Sequence, residues 1–228
     1  MKNYKMLVCA TLSIHRHKGP LKTGASRFGG LPDVPRNFSW PRTAFGYLHF
    51  IAQLRFGELP AFNDDFPRRG YMLFFASLEG STCRILWYPS VPRRLDPSVV
   101  PPHEEFSPFD AEMPIFAPQP VRFEPSMYIP PQDPSNCVDD ELWWRRHQLQ
   151  EDMEGPDSRL GGYAYYDPDR YGLAGGFRNW ESVMQVDSFH PSSDMLWGDN
   201  GKLAFFVRRG CLKRHAFGHV SSVTLGAC

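Results

Sequence analysis

The chain has 228 residues, 42% of them hydrophobic, and its 25 Lys/Arg balance 25 Asp/Glu to a net charge of zero. That length allows one large domain or two small ones. A neutral total argues against a broadly basic nucleic-acid binder, and no run approaches the roughly 20 apolar residues that a membrane-spanning helix needs. The cysteines, at positions 9, 83, 137, 211 and 228, are odd in number, widely spaced and free of any CxxC pair. A disulfide framework or structural zinc site is therefore not expected, and free thiols fit a reducing cytoplasm.

In chain order, residues 4–14 read as a first strand. Lys2 and Lys5 precede only a short apolar run, Met6–Ala10, with no cleavage site after it, so a signal peptide is not expected. Residues 19–37, with Gly19-Pro20, Gly29-Gly30, Pro32 and Pro35, read as an extended loop. Residues 47–55 form a buried strand that Glu58-Leu59-Pro60 closes, and 70–78 and 83–88 form two neighbouring strands joined near Glu79-Gly80-Ser81. Many of the 22 prolines lie between Pro89 and Pro134, a connection that cannot be mostly helical because proline lacks the amide donor. Within it, Gln119–Phe123 is a candidate strand that would continue the first sheet. Residues 138–152 are the clearest helix, with acids first and arginines after, as the helix dipole prefers. Gly161-Gly162 then marks a loop, Ser182–Val186 a strand, Asp199-Asn200-Gly201 a tight hairpin turn and 202–208 the strand after it. Residues 210–218 are a short helix or loop before a last strand at 219–225.

Parts of this order occur twice. Ser26-Arg27-Phe28-Gly29-Gly30 returns as Ser158-Arg159-Leu160-Gly161-Gly162, and Ile51-Ala52-Gln53-Leu54 as Val183-Met184-Gln185-Val186, both 132 residues on. Gly70–Phe75 returns as Gly201–Phe206, 131 residues on. The expected fold is α+β, internally duplicated, with mostly antiparallel sheets and few helices. It is one domain, 1–228, built from pseudo-repeats at about 26–88 and 158–225 around an insertion at about 89–157. Residues 26–78 and 158–209 should superpose.

Charge is distributed unevenly. Residues 1–100 carry 14 Lys/Arg and 6 Asp/Glu, net +8, whereas residues 101–160 carry 4 against 13, net −9. The acidic block is either a solvated face or a docking surface for a basic partner. On the second reading Glu104, Glu105, Asp110, Glu112, Asp139, Asp140 and Glu141 supply the charge, and Trp143 or Trp144 the apolar anchor.

The common nucleotide, hydrolase and metalloprotease signatures are missing, so no catalytic residue, metal or cofactor is expected. Two constellations keep an enzyme reading open. Cys211, His215 and His219 would share a face if they lay on one helix, which suits zinc, although Gly218 interrupts that helix. Asp187, Asp194 and Asp199 could hold a cation or do acid/base chemistry, or simply cap backbone amides around a turn.

The motifs Ser26-Arg-Phe-Gly-Gly-Leu-Pro, Trp40-Pro41, His49-Phe-Ile-Ala-Gln-Leu, Glu58-Leu-Pro and Gly70-x-x-Leu-Phe-Phe resemble the YwqG-like family of bacterial proteins. So do Leu160-Gly-Gly-Tyr, Gln185-Val-Asp-Ser and Met195-Leu-Trp-Gly-Asp-Asn-Gly-Lys-Leu-Ala-Phe-Phe-Val, and the likeness runs from about residue 26 to 225. The chain departs from the family pattern after Gly161-Gly162, where Tyr163-Ala-Tyr-Tyr-Asp-Pro stands, and in its acidic middle. The resemblance implies an α+β fold with an internal duplication and no enzyme activity. Some family members look like immunity proteins encoded beside secreted interbacterial toxins. The function expected is thus a cytoplasmic antitoxin that binds and blocks a cognate, basic toxin, such as a type VI nuclease effector, without contacting nucleic acid or membrane. The alternatives are a scaffold binding a small ligand between its lobes, or a metal-dependent enzyme using one of the two constellations above.

Overall fold

The computed structural model describes residues 7–14, 19–61, 63–78, 80–90, 92–102, 105–106, 115–128, 158–162, 179–188 and 195–227. Its strands are β1 (Leu7–Ile14), β2 (Arg27–Phe28), β3 (Asp33–Val34), β4 (Arg42–Thr43), β5 (Gly46–Tyr47), β6 (His49–Arg55), β7 (Tyr71–Ala76) and β8 (Cys83–Tyr88). They continue as β9 (Arg93–Arg94), β10 (Gln119–Tyr128), β11 (Arg159–Leu160), β12 (Trp180–Asp187), β13 (Asp199–Arg208) and β14 (Val220–Ala227).

Ten of them form one sheet in the order β14-β13-β12-β11-β1-β10-β2-β6-β7-β8, and every pairing in it is antiparallel. The sheet has two arms. Arm one runs from β10 to β8, arm two from β1 to β14, and β1 and β10 lie side by side at the centre. Each arm takes its central strand from the other side of the sequence. β1 precedes arm one but pairs with β11, while β10 precedes arm two but pairs with β2. Leu12 N–H donates to Ser158 O (2.7 Å) and Val121 N–H to Ser26 O (3.3 Å), so positions 12 and 121 play the same part at the two joints. Ser13 faces Arg122 at the midpoint of the β1–β10 register. Around that pair Leu12 and Val121 both enter the core, with Ile14 and Phe123 both packed at its margin.

The repeated residues build the same ladder in both arms. Arg27 pairs with Gln53 and Phe28 with Ala52; Arg159 pairs with Gln185 and Leu160 with Met184. Each long inner strand carries a bulge at the same place, between Phe50 and Ala52 in β6 and between Ser182 and Met184 in β12. The bulge carbonyls have matching partners, Gly29 N–H on Ile51 O and Gly161 N–H on Val183 O, each at 2.8 Å. The serine hydroxyls match too, with Ser26 Oγ accepting from Arg55 N–H (2.8 Å) and Ser158 Oγ from Asp187 N–H (2.9 Å). Both glycines of each pair have positive φ, between 63° and 77°. A Cβ on Gly29 would also lie 2.5 Å from Ala117 O, so no other residue fits there.

The sheet wraps until its edge strands meet. Ser222 Oγ on β14 donates to Gly80 O at the foot of β8 (2.7 Å), and the Phe74 and Phe205 rings stand edge to face at 5.2 Å. Meeting edges leave little unpaired backbone open to another chain. The main core fills the inside, with Leu54, Met72 and Phe74 from arm one and Met184, Leu203 and Phe205 from arm two. The alternate residues of β7 (Tyr71, Leu73, Phe75) face outward into a second core with Val34, Trp40, Leu95 and Phe106. A strand buried on both faces explains the unbroken apolar run of Tyr71–Ala76.

Several expectations change. Among the described residues there is no α-helix, only the 3-10 turns Phe56–Glu58 and Pro97–Val99, so the described fold is largely β. The expected helix at 138–152 lies outside the described residues. Asp199–Gly201 is not a hairpin turn: it opens β13, where the register shifts between Asp199 and Lys202, and Gly201 N–H donates back to Trp197 O (2.7 Å). The local Asn-Gly preference gives way to pairing with β14. Gln119–Phe123 is strand, as expected, and β10 continues to Tyr128.

Candidate functional site: a buried Arg–Asp–Gln clamp under an arginine ribbon

The outward face of arm one holds a desolvated polar cluster. Arg27 is 5% exposed, Asp33 2% and Gln53 0%. The Asp33 carboxylate accepts from Gly24 N–H (2.7 Å), Arg27 Nη1 (2.9 Å) and Gln53 Nε2 (3.2 Å). Gln53 accepts from Asp33 N–H (2.8 Å) and donates to Ala25 O (3.0 Å), while Arg27 donates to Ala25 O (3.1 Å) and to Leu31 O. Burial lowers the Arg27 pKa from its ordinary value, Asp33 opposes that shift, and nearby Arg94 adds to it. With these groups engaged on one another and on loop carbonyls, the cluster acts as a clamp. It pins residues 24–33, and with them the glycine pair, onto the sheet. The Tyr71 hydroxyl is buried in the same region without a hydrogen-bond partner, and burial raises its pKa first, with Tyr88 and Asp33 adding to the rise.

Over the clamp lies the two-stranded ribbon β3–β9, with Asp33 opposite Arg94 and Val34 opposite Arg93. Both ribbon arginines are exposed. Arg94 Nη2 donates to Leu21 O (2.5 Å) and Arg93 Nη2 approaches Arg36 O (3.5 Å), which brings exposed Lys22 and Arg36 into the same neighbourhood. The 3-10 turn after the ribbon is capped by Asp96, whose side chain accepts from Ser98 N–H (3.0 Å), and it presents Val99 at 55% exposure.

Of the interface residues expected from the sequence, Glu105 is exposed beside buried Phe106. Glu104, Asp110, Glu112, Asp139, Asp140, Glu141, Trp143 and Trp144 lie outside the described residues. The helical face proposed for Cys211, His215 and His219 does not form, because 209–215 is a run of turns. Cys211 is buried against Arg214 (Nη2–Sγ 3.5 Å), His215 packs on Trp87 with ring centroids 5.1 Å apart, and His219 is exposed. Among the described residues no three His, Cys, Asp or Glu side chains are placed to share a metal ion. Asp187 accepts from Ser188 N–H (2.9 Å) and pairs with Lys202 (3.5 Å); Asp194 and the Asp199 side chain lie outside the described residues. The Cys83 thiol, 3% exposed, is pushed up to about 11, mainly by burial.

The family model of DUF1963, a domain of unknown function, matches residues 26–224. The chain belongs to this family. The match covers both arms from the first Ser-Arg-x-Gly-Gly through most of β14, and the YwqG-like resemblance of the motifs is a resemblance to the same family. No curated protein matches the chain.

The clamp was not singled out from sequence. Two of its members were legible, because Arg27 and Gln53 both recur 132 residues later. Asp33, in a proline-rich loop, carries no such mark.

Proposed function

We propose that this DUF1963 protein is a non-enzymatic binding protein, most concretely a cytoplasmic immunity protein that neutralises a cognate secreted bacterial toxin. The observation that carries the reading is the charge segregation, with net −9 over residues 101–160 in a chain whose total is zero. Nuclease toxins are commonly basic because they bind phosphates. An acidic surface would block such a toxin by covering its substrate site. The polar cluster on arm one supports a binding role, since its groups hold one another and serve to position loops.

On this reading the two arms descend from a duplicated unit of five strands. The shared bulges, serine hydroxyl bonds and glycine turns support that origin, and the acidic middle is an addition to the repeated scaffold.

The test begins with the gene beside this one. Its product is purified and its binding measured at two ionic strengths, with wild type and with Glu104→Lys/Glu105→Lys/Asp139→Lys/Asp140→Lys. The expected result is slower association for the reversed variant and weaker binding in salt. Unchanged binding and unchanged protection of cells by the variant would remove the acidic block from the interface.

A further inference from the structure

We infer that the β3–β9 ribbon is a second docking surface, for a carboxylate-rich protein segment. It is separate from the acidic block, so it stands or falls independently of the immunity reading. Four exposed cations cluster there: Lys22, Arg36, Arg93 and Arg94. None of them pairs with a carboxylate among the described residues; the ion pairs there are Arg27–Asp33, Arg68–Asp64 and Lys202–Asp187. The nearest acids are committed elsewhere or outnumbered. Asp33 is buried on Arg27, and Asp96 is the one exposed carboxylate beside Arg93.

Two features make the patch more than a solvated face. The ribbon guanidinium groups are tethered by main-chain carbonyls, Arg94 on Leu21 O and Arg93 on Arg36 O, so part of the side-chain entropy is lost before any partner arrives. The desolvated clamp below also holds the ribbon's backbone rigid, through Asp33 itself. Three of the four cations are arginines, whose planar forks match carboxylates in two-point contacts.

The chemistry favours a protein over a nucleic acid. A duplex needs a track of cations along many phosphates and gains from a basic total charge. Here the patch is confined to a two-residue ribbon, the chain is neutral, and the exposed neighbour is an aliphatic side chain, Val99. Such a mixture of arginine and small apolar surface is what protein interfaces use at and beside their charged anchors.

The probe is fluorescently labelled poly-L-glutamate, measured by anisotropy against the intact chain, with a random-sequence DNA duplex as the competing class. Arg93→Glu/Arg94→Glu is compared with a charge-matched reversal on arm two, Lys213→Glu/Arg214→Glu, both pairs being exposed. Wild type is expected to bind poly-glutamate and to weaken several-fold between about 0.05 M and about 0.3 M salt. The ribbon variant should lose about tenfold or more in affinity, while the arm-two variant stays near wild type. Equal losses in the two variants would mean a general field and overturn the site. So would failure of wild type to bind poly-glutamate, or tighter binding of the duplex that the ribbon variant abolishes. Thermal melting of both variants at wild-type temperature excludes unfolding as the cause.

Discussion

The two arms share a ladder and differ in what lies on its outward face. In both, an Arg–Gln pair sits beside a bulge, a glycine pair turns away from it, and a serine hydroxyl takes the last amide of the long strand. In arm one Asp33 completes the Arg–Gln pair into a buried ion-pair cluster, and a layer from β3, β4, β5 and β9 covers it. At the serine-bonded position arm one has exposed Arg55, whereas arm two has Asp187 paired with Lys202. The repeated residues thus encode the joint between strands, and the non-repeated ones encode what the surface offers. Function should be sought in the second set.

The largest expected effect comes from the feature that is described in one arm only. Asp33→Ala leaves the Arg27 guanidinium buried without its carboxylate and should cost about 3–5 kcal/mol, read as a shift in the urea midpoint. A cost under about 1 kcal/mol would mean that water reaches the cluster and that it is no clamp. Alkaline pH probes the buried thiol of arm one. The folded Cys83 titrates near 11 against an ordinary value of 9.0, so the folded state holds a proton that the unfolded state has released between those values. Stability from this group is complete below pH 9 and is lost as pH rises towards 11. The loss should reach about 2 kcal/mol, and Cys83→Ser should flatten that slope. The matched serines test whether the arms are equivalent. Ser26→Ala and Ser158→Ala each leave a strand amide unpaired and should each cost about 1–3 kcal/mol. The two values should agree within about 0.5 kcal/mol if the joints are the same.

The smallest effect concerns the turns that lead to the edge strands. Arm one uses Gly80 at φ 71°, whereas arm two uses His215 at φ 52°. There His215 N–H donates to Leu212 O and Ala216 N–H to Cys211 O (each 2.9 Å), the pattern of a glycine-favouring helix-end cap. His215→Gly should relieve strain of about 1 kcal/mol and raise the melting temperature slightly. A fall instead would show that the Trp87 contact outweighs the strain.

The strands were legible wherever apolar residues run unbroken, as in Tyr71–Ala76, or recur at a fixed offset, as in Ile51–Leu54 and Val183–Val186. Short offsets of sequence also located both glycine turns. The exchange of β1 and β10 was not legible, since no local pattern states which distant edge a strand will join. The Asn200-Gly201 pair misled because turn propensity is local, while the β14 ladder that overrides it is set by packing. The clamp stayed hidden because Asp33 gains its meaning only when Gln53, twenty residues on, is folded beside it.

The exchanged central strands have a consequence for how the chain comes off the ribosome. Arm one has its own β2, β6, β7 and β8 by residue 88, but its inner edge stays open until β10 is made at 119–128. β1, the first strand synthesised, reaches its second partner only when residues 159–160 emerge. Contacts spanning so much sequence slow folding, and neither arm can be finished as an autonomous unit during synthesis. Two separately expressed pieces, 1–102 and 115–228, should therefore be poorly folded alone and recover a common sheet when produced together.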